Sequence, residues 1–144
     1  ELNSERALIE VYLSVKTKEE FTSRIAALAN LVLTLKKDVL LDALNINSCS
    51  DGPIALLRKL LEKNIEDNSS IHQICDTYKN INRLRKLYPI HTDSTDNIIN
   101  AHNYFGLRYP IEENEYHLAW EKVIGLYYKH TKLFKDILKD YVNK

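Results

Sequence analysis

The chain has 144 residues, 20 Lys+Arg against 20 Asp+Glu and a formal net charge of zero. It is long enough for one domain with a real core and too short for two, and any hold on nucleic acid must come from a local patch rather than a global positive field. Glycine and proline number three each, and with so little turn punctuation among many helix formers the composition predicts an all-α domain.

Asn3-Ser4 caps a predicted opening helix over roughly 5–15, with Leu8, Tyr12 and Val15 at helical spacing. Thr17-Lys18-Glu19-Glu20 reads as a capping box. The helix behind it carries Phe21, Ile25, Leu28, Val32, Leu35 and Val39 in alternating steps of four and three, a bundle seam. Residues 45–52 form a polar turn. Pro53 opens a shorter helix through about residue 63, with Ile54, Leu57, Leu60 and Leu61 as its apolar positions. Loop and cap residues at 67–70 lead into a helix over roughly 71–88, stopped by Pro89. Residues 93–96 offer caps for a short helix ending at Gly106, and Arg108-Tyr109-Pro110 is an extended link. The last helix runs from residue 114 to near the C-terminus, with Tyr116, Trp120, Val123, Tyr127, His130, Phe134, Ile137 and Tyr141 on its seam. These elements predict an up-and-down bundle of four to six helices in a single domain over 1–144. With no methionine in the sequence, that domain is expected to be a fragment or processed form of a longer protein.

Two cysteines, Cys49 and Cys75, allow one bridge and no disulfide framework, so they read as reduced thiols of a cytoplasmic protein. No apolar run approaches bilayer length and no signal-peptide pattern opens the chain, so no membrane partner is expected. No glycine-rich phosphate loop, GxSxG elbow or HExxH occurs, which leaves P-loop, serine-hydrolase and zinc-protease chemistry without support. His72, Cys75 and His102 match no zinc template, so neither a metal nor another cofactor is expected.

The helix over 71–88 holds the residues of chemical interest. Ile71, Ile74, Tyr78, Ile81, Arg85 and Tyr88 fall at three-four spacing, whereas His72, Asp76, Lys79, Arg83 and Lys86 fall on the opposite, solvated face. Arg85 thus takes a seam position, where arginine needs a partner or a cleft; a structural salt bridge at the bundle's edge is the competing explanation. His91 follows the Pro89 break, and one tight turn there would fold it back over the last helical turn, within reach of Arg85. A histidine in a capping loop is otherwise an exposed bystander. His130, on the last helix's seam, reads first as a core histidine bonded to a tyrosine or carboxylate. Tyr88, Tyr104, Tyr109, Tyr127 and Tyr128 could stack bases, although tyrosines at helical spacing more often pack core and rim.

Arg85-Lys86-Leu87-Tyr88-Pro89-Ile90-His91 resembles the arginine, four to six residues, histidine motif of the HEPN superfamily, the higher-eukaryote and prokaryote nucleotide-binding helical domains. The likeness covers the C-terminal half, through Tyr109-Pro110 and the Trp120 helix, and reaches the N-terminal half only through its helix pattern. It implies a four- or five-helix bundle, a homodimer, and a metal-independent endoribonuclease or RNA-binding module of a prokaryotic defence or toxin–antitoxin system, with an antitoxin or a larger protein as further partner. It also implies roles for the two residues. His91 would be general acid/base at the ribose 2′-hydroxyl and the leaving oxygen, worth about 10²–10⁴-fold. Arg85 would hold the phosphate and stabilise charge on the phosphorane. The chain departs from the family in Lys86, where active members often carry Asn, Asp or His, and in Pro89, which interrupts the helix. Those departures support the alternative of a catalytically inert helical dimerisation or protein-interaction domain.

Overall fold

The structure is a computed structural model and describes residues 13–32, 34–88 and 95–143. Among the described residues all regular structure is helical: α1 (Lys18–Val32), α2 (Lys37–Leu44), α3 (Pro53–Asn64), α4 (Asn68–Leu87), α5 (Thr95–Tyr104) and α6 (Tyr116–Val142). The predicted all-α bundle is therefore present. Of the predicted opening helix, residues 5–12 lie outside the described residues; Val15 is buried in a non-helical segment ahead of α1.

Short local signals set several of the helix ends. At α1 the Thr17 hydroxyl accepts from the Glu20 N–H at 3.2 Å, while the Glu20 carboxylate accepts from the Thr17 N–H at 3.3 Å and the Lys16 N–H at 2.6 Å. The expected capping box is thus formed. The same bonds, led by that from Lys16, hold the Glu20 carboxyl below its usual range. Asp67 caps α4 by accepting from the Ser70 N–H at 3.1 Å and the Ser70 hydroxyl at 2.5 Å. Pro53 occupies the start of α3, where its missing N–H costs nothing. Asn45 ends α2 in the left-handed region (φ 57°), and the Ile46 N–H reaches back to the Leu41 carbonyl at 3.0 Å.

The seam predicted through Val39 does not form one helix. The chain leaves helical geometry after Val32: the Thr34 hydroxyl donates to the Leu31 carbonyl at 2.7 Å, closing the helix in a tight turn. The chain re-enters helix at Lys37, where Leu40 is the buried position and Val39 is 58% exposed. The apolar period continues across the break although the helix does not.

α4 is the central element and packs against α1, α3, α5 and α6. Having neighbours on several sides changes which of its faces is covered. Near its start the buried positions are Ile71, Ile74, Cys75 and Tyr78; toward its end they are Ile81, Leu84 and Leu87, with Thr77 and Asn80 also enclosed. The run Tyr78, Ile81, Leu84, Leu87 advances by threes, and each such step falls about 60° short of a full turn. The buried stripe therefore winds around the helix. Leu84 is fully buried and Arg85 is exposed, which corrects the assignment of Arg85 to the seam.

α6 runs antiparallel to α4. Thr131 meets Tyr78 (2.9 Å between hydroxyls), His130 meets Thr77, and Tyr141 near the far end donates to Asn64 just ahead of α4. Tyr116, Ala119, Trp120, Val123 and His130 are buried, whereas Tyr128, Leu138, Tyr141 and Val142 are exposed. The predicted seam therefore holds along the first half of α6 and lapses at Tyr141, which lies beyond the cover that α4 provides.

The ends of α1, α4, α5 and α6 meet in an aromatic cluster. Phe21 contacts Tyr88 and Tyr116, with ring centroids 5.4 and 5.6 Å away, and His102 lies against Tyr88 and Tyr109 at 5.9 and 4.8 Å. Tyr88 is thus a core residue that fixes the C-terminal end of α4.

Candidate functional site, a basic groove beside the central helix

Because α3 packs alongside α4, the polar stripe of α4 faces a wall rather than open solvent. Lys79, Asn82, Arg83 and Lys86 form one side of a groove; Pro53, Ile54, Ala55, Arg58, Lys59 and Glu62 of α3, with Asp51 and Gly52 before it, form the other. Asn97 of α5 also lines it, and the groove volume is about 750 Å³. Five cations line it against two carboxylates, in a chain whose formal net charge is zero. Positive potential is thus concentrated in one cleft.

These cations are held in different ways. Arg58 donates to the Asp76 carboxylate at 2.6 Å, an ion pair whose side chains are 30% and 43% exposed. Burial alone would lower the Arg58 pKa, and Asp76 overcomes it to leave the guanidinium above its usual value. Lys59 pairs with Asp51 at 2.5 Å, which raises its pKa. No carboxylate among the described residues pairs with Lys79 or Arg83, so their charge is directed into the groove uncompensated. Beneath the groove Cys75 is fully buried; burial pushes its thiol pKa up against the opposing pull of Arg58, which keeps it neutral.

The two arginines therefore exchange the places expected of them. Arg83, assigned to the solvated face, is half-buried in the groove; Arg85 is exposed and is not part of the groove lining. His91 and Pro89 lie outside the described residues. The Lys79, Arg83, Lys86 stripe was visible in the sequence as one helical face. What made it a groove was the neighbouring α3, which no local pattern announced.

The buried histidines are engaged internally. His102 donates from Nδ1 to the Ile98 carbonyl at 2.8 Å, so its Nε2 accepts from the Tyr88 hydroxyl, also at 2.8 Å. Burial lowers its pKa and keeps the ring neutral. His130 lies 2.5 Å from the Thr77 hydroxyl, and burial, helped by Lys129, lowers its pKa too. It is the core histidine expected, with a threonine rather than a tyrosine or carboxylate as partner. Among the described residues no group of three or more His, Cys, Asp or Glu side chains assembles as a metal site, and no helix is long and apolar enough to cross a membrane.

No family model, characterised protein or solved structure matches this chain.

Proposed function

We propose that the protein is a HEPN-like RNA-binding domain that holds RNA phosphates in the groove between α3 and α4, and that Arg85, in the last turn of α4, together with His91, four residues after that helix in the sequence, cleaves the bound strand without a metal. The observation that carries the binding function is the concentration of five cations in one groove of a chain with zero net charge. Lysine and arginine directed at phosphates supply the sequence-independent part of RNA affinity. The cleavage step rests on the resemblance of Arg85 through His91 to the HEPN motif. His91 would exchange protons with the 2′-hydroxyl and leaving oxygen while Arg85 holds the phosphate. The exposure of Arg85 leaves its guanidinium accessible to a strand leaving the groove.

A second function, a catalytically inert dimerisation or protein-interaction domain, draws support from the exposed apolar residues of α6: Leu118, Tyr128, Leu138, Tyr141 and Val142. One comparison separates the two. Single-stranded and structured RNA are incubated in EDTA with the wild type and with Arg83→Ala, Arg85→Ala and His91→Ala. RNA binding with cleavage lost in the Arg85 and His91 variants is expected, with Arg83→Ala weakening binding itself. Binding without cleavage would remove the catalytic half of the proposal, and neither binding nor cleavage would leave the interaction domain.

A further inference from the structure

On the premise that the groove binds RNA, we infer that it takes a single strand, about three nucleotides at a time, on a ladder formed by Lys79, Arg83 and Lys86.

The ladder follows from helix geometry. Steps of four and then three residues keep these side chains on one face of α4, and all of them line the groove. From Lys79 to Lys86 the helix axis rises about 10 Å at 1.5 Å per residue. A stacked single strand advances about 3.4 Å per nucleotide, so about three phosphates lie along that length. Arg58 and Lys59 on the opposite wall are paired with Asp76 and Asp51 and add little net charge, so the groove's positive potential falls mainly on the ladder side.

Size argues against a duplex. At about 750 Å³ the groove is comparable to pockets of about 300–1,000 Å³ that enclose drug-sized ligands, whereas double-stranded RNA is gripped across two successive minor grooves. Asn82, between the ladder cations, and Asn97 bring amide groups to the groove lining. Such groups suit the base edges that a single strand leaves open. An acidic peptide shares the charge but has no base edges for those amides to read.

The test is a binding series on the full chain. The probes are fluorescent, 5′-phosphorylated 2′-O-methyl RNA oligonucleotides of about two, three and ten nucleotides, so that a trinucleotide carries three phosphates, and a duplex of the longest; the methyl group blocks attack by the 2′-oxygen, so cleavage cannot consume the probe. Affinity is expected to rise sharply up to the trinucleotide, to change little beyond it, and to be about tenfold weaker for the duplex. The logarithm of affinity should fall with the logarithm of salt with a slope of about −2 for three phosphate contacts on a single strand. Lys79→Ala/Arg83→Ala should flatten that slope to about −0.7, whereas Lys79→Arg/Arg83→Lys should preserve it. Both positions are outside the core, so thermal melts of these variants should match the wild type. Equal duplex affinity, an unchanged slope in the alanine variant, or equal competition by poly-glutamate would overturn this inference while RNA binding stands. Failure of every oligonucleotide to bind would remove the RNA-binding function along with it.

Discussion

Thr77 has one hydroxyl hydrogen and three polar neighbours at hydrogen-bond distance. It donates to the Gln73 carbonyl at 2.9 Å and so accepts from both the Tyr104 hydroxyl at 2.6 Å and His130 Nδ1–H at 2.5 Å. One buried side chain thereby ties α4 to α5 and α6. Thr77→Val retains much of its shape and leaves the His130 Nδ1–H without its acceptor, while the Tyr104 hydroxyl still has the Gln73 carbonyl 3.4 Å away; a loss of about 1–3 kcal/mol is expected in urea unfolding. The buried histidines add a pH dependence. Burial lowers the folded-state pKa of His102 and His130 below the ordinary 6.5, so the unfolded chain binds more protons once pH falls below that value. Stability is fully retained above about pH 6.5 and declines as pH drops through the window beneath it. Melting temperatures from pH 8 to 5 should show that decline, and His102→Gln/His130→Gln should flatten it. Glu20 and Asp67, with pKa values lowered by their cap bonds, add a second loss near the carboxylate range.

α4 shows which parts of an element can be read in a sequence. Its N-cap at Asp67 and the capping box of α1 involve residues within four positions of one another, so the local order spells them out. The face α4 buries cannot be read that way, because its neighbours decide it. Ile81 can be followed by either Leu84 or Arg85 at helical spacing, and the winding stripe selects Leu84. Leu84→Ala should therefore cost about 2–5 kcal/mol, whereas Arg85→Ala should stay within about 0.5 kcal/mol of the wild type. Equal small effects on chemical unfolding would contradict this packing. The same limit hid the groove. Arg58 and Asp76, eighteen residues apart, meet only after α3 folds against α4. The break at Thr34 escaped detection for a related reason: an apolar period runs unbroken through a point where the backbone turns.

For the whole molecule, neutrality conceals an uneven distribution of charge. Cations outnumber carboxylates in the groove lining by five to two, so binding there should be salt-dependent even though the protein has no global field. The apolar end of α6 forms a second distinctive surface and gives the competing function a place to act. Amide NMR during titration with a short single-stranded RNA distinguishes the two surfaces directly. Perturbations concentrated in residues 51–59 and 79–86 are expected, and they should diminish in Lys79→Ala/Arg83→Ala. Perturbations confined to 128–142, or none at RNA concentrations well above those of the protein, would contradict the groove as the site of RNA binding.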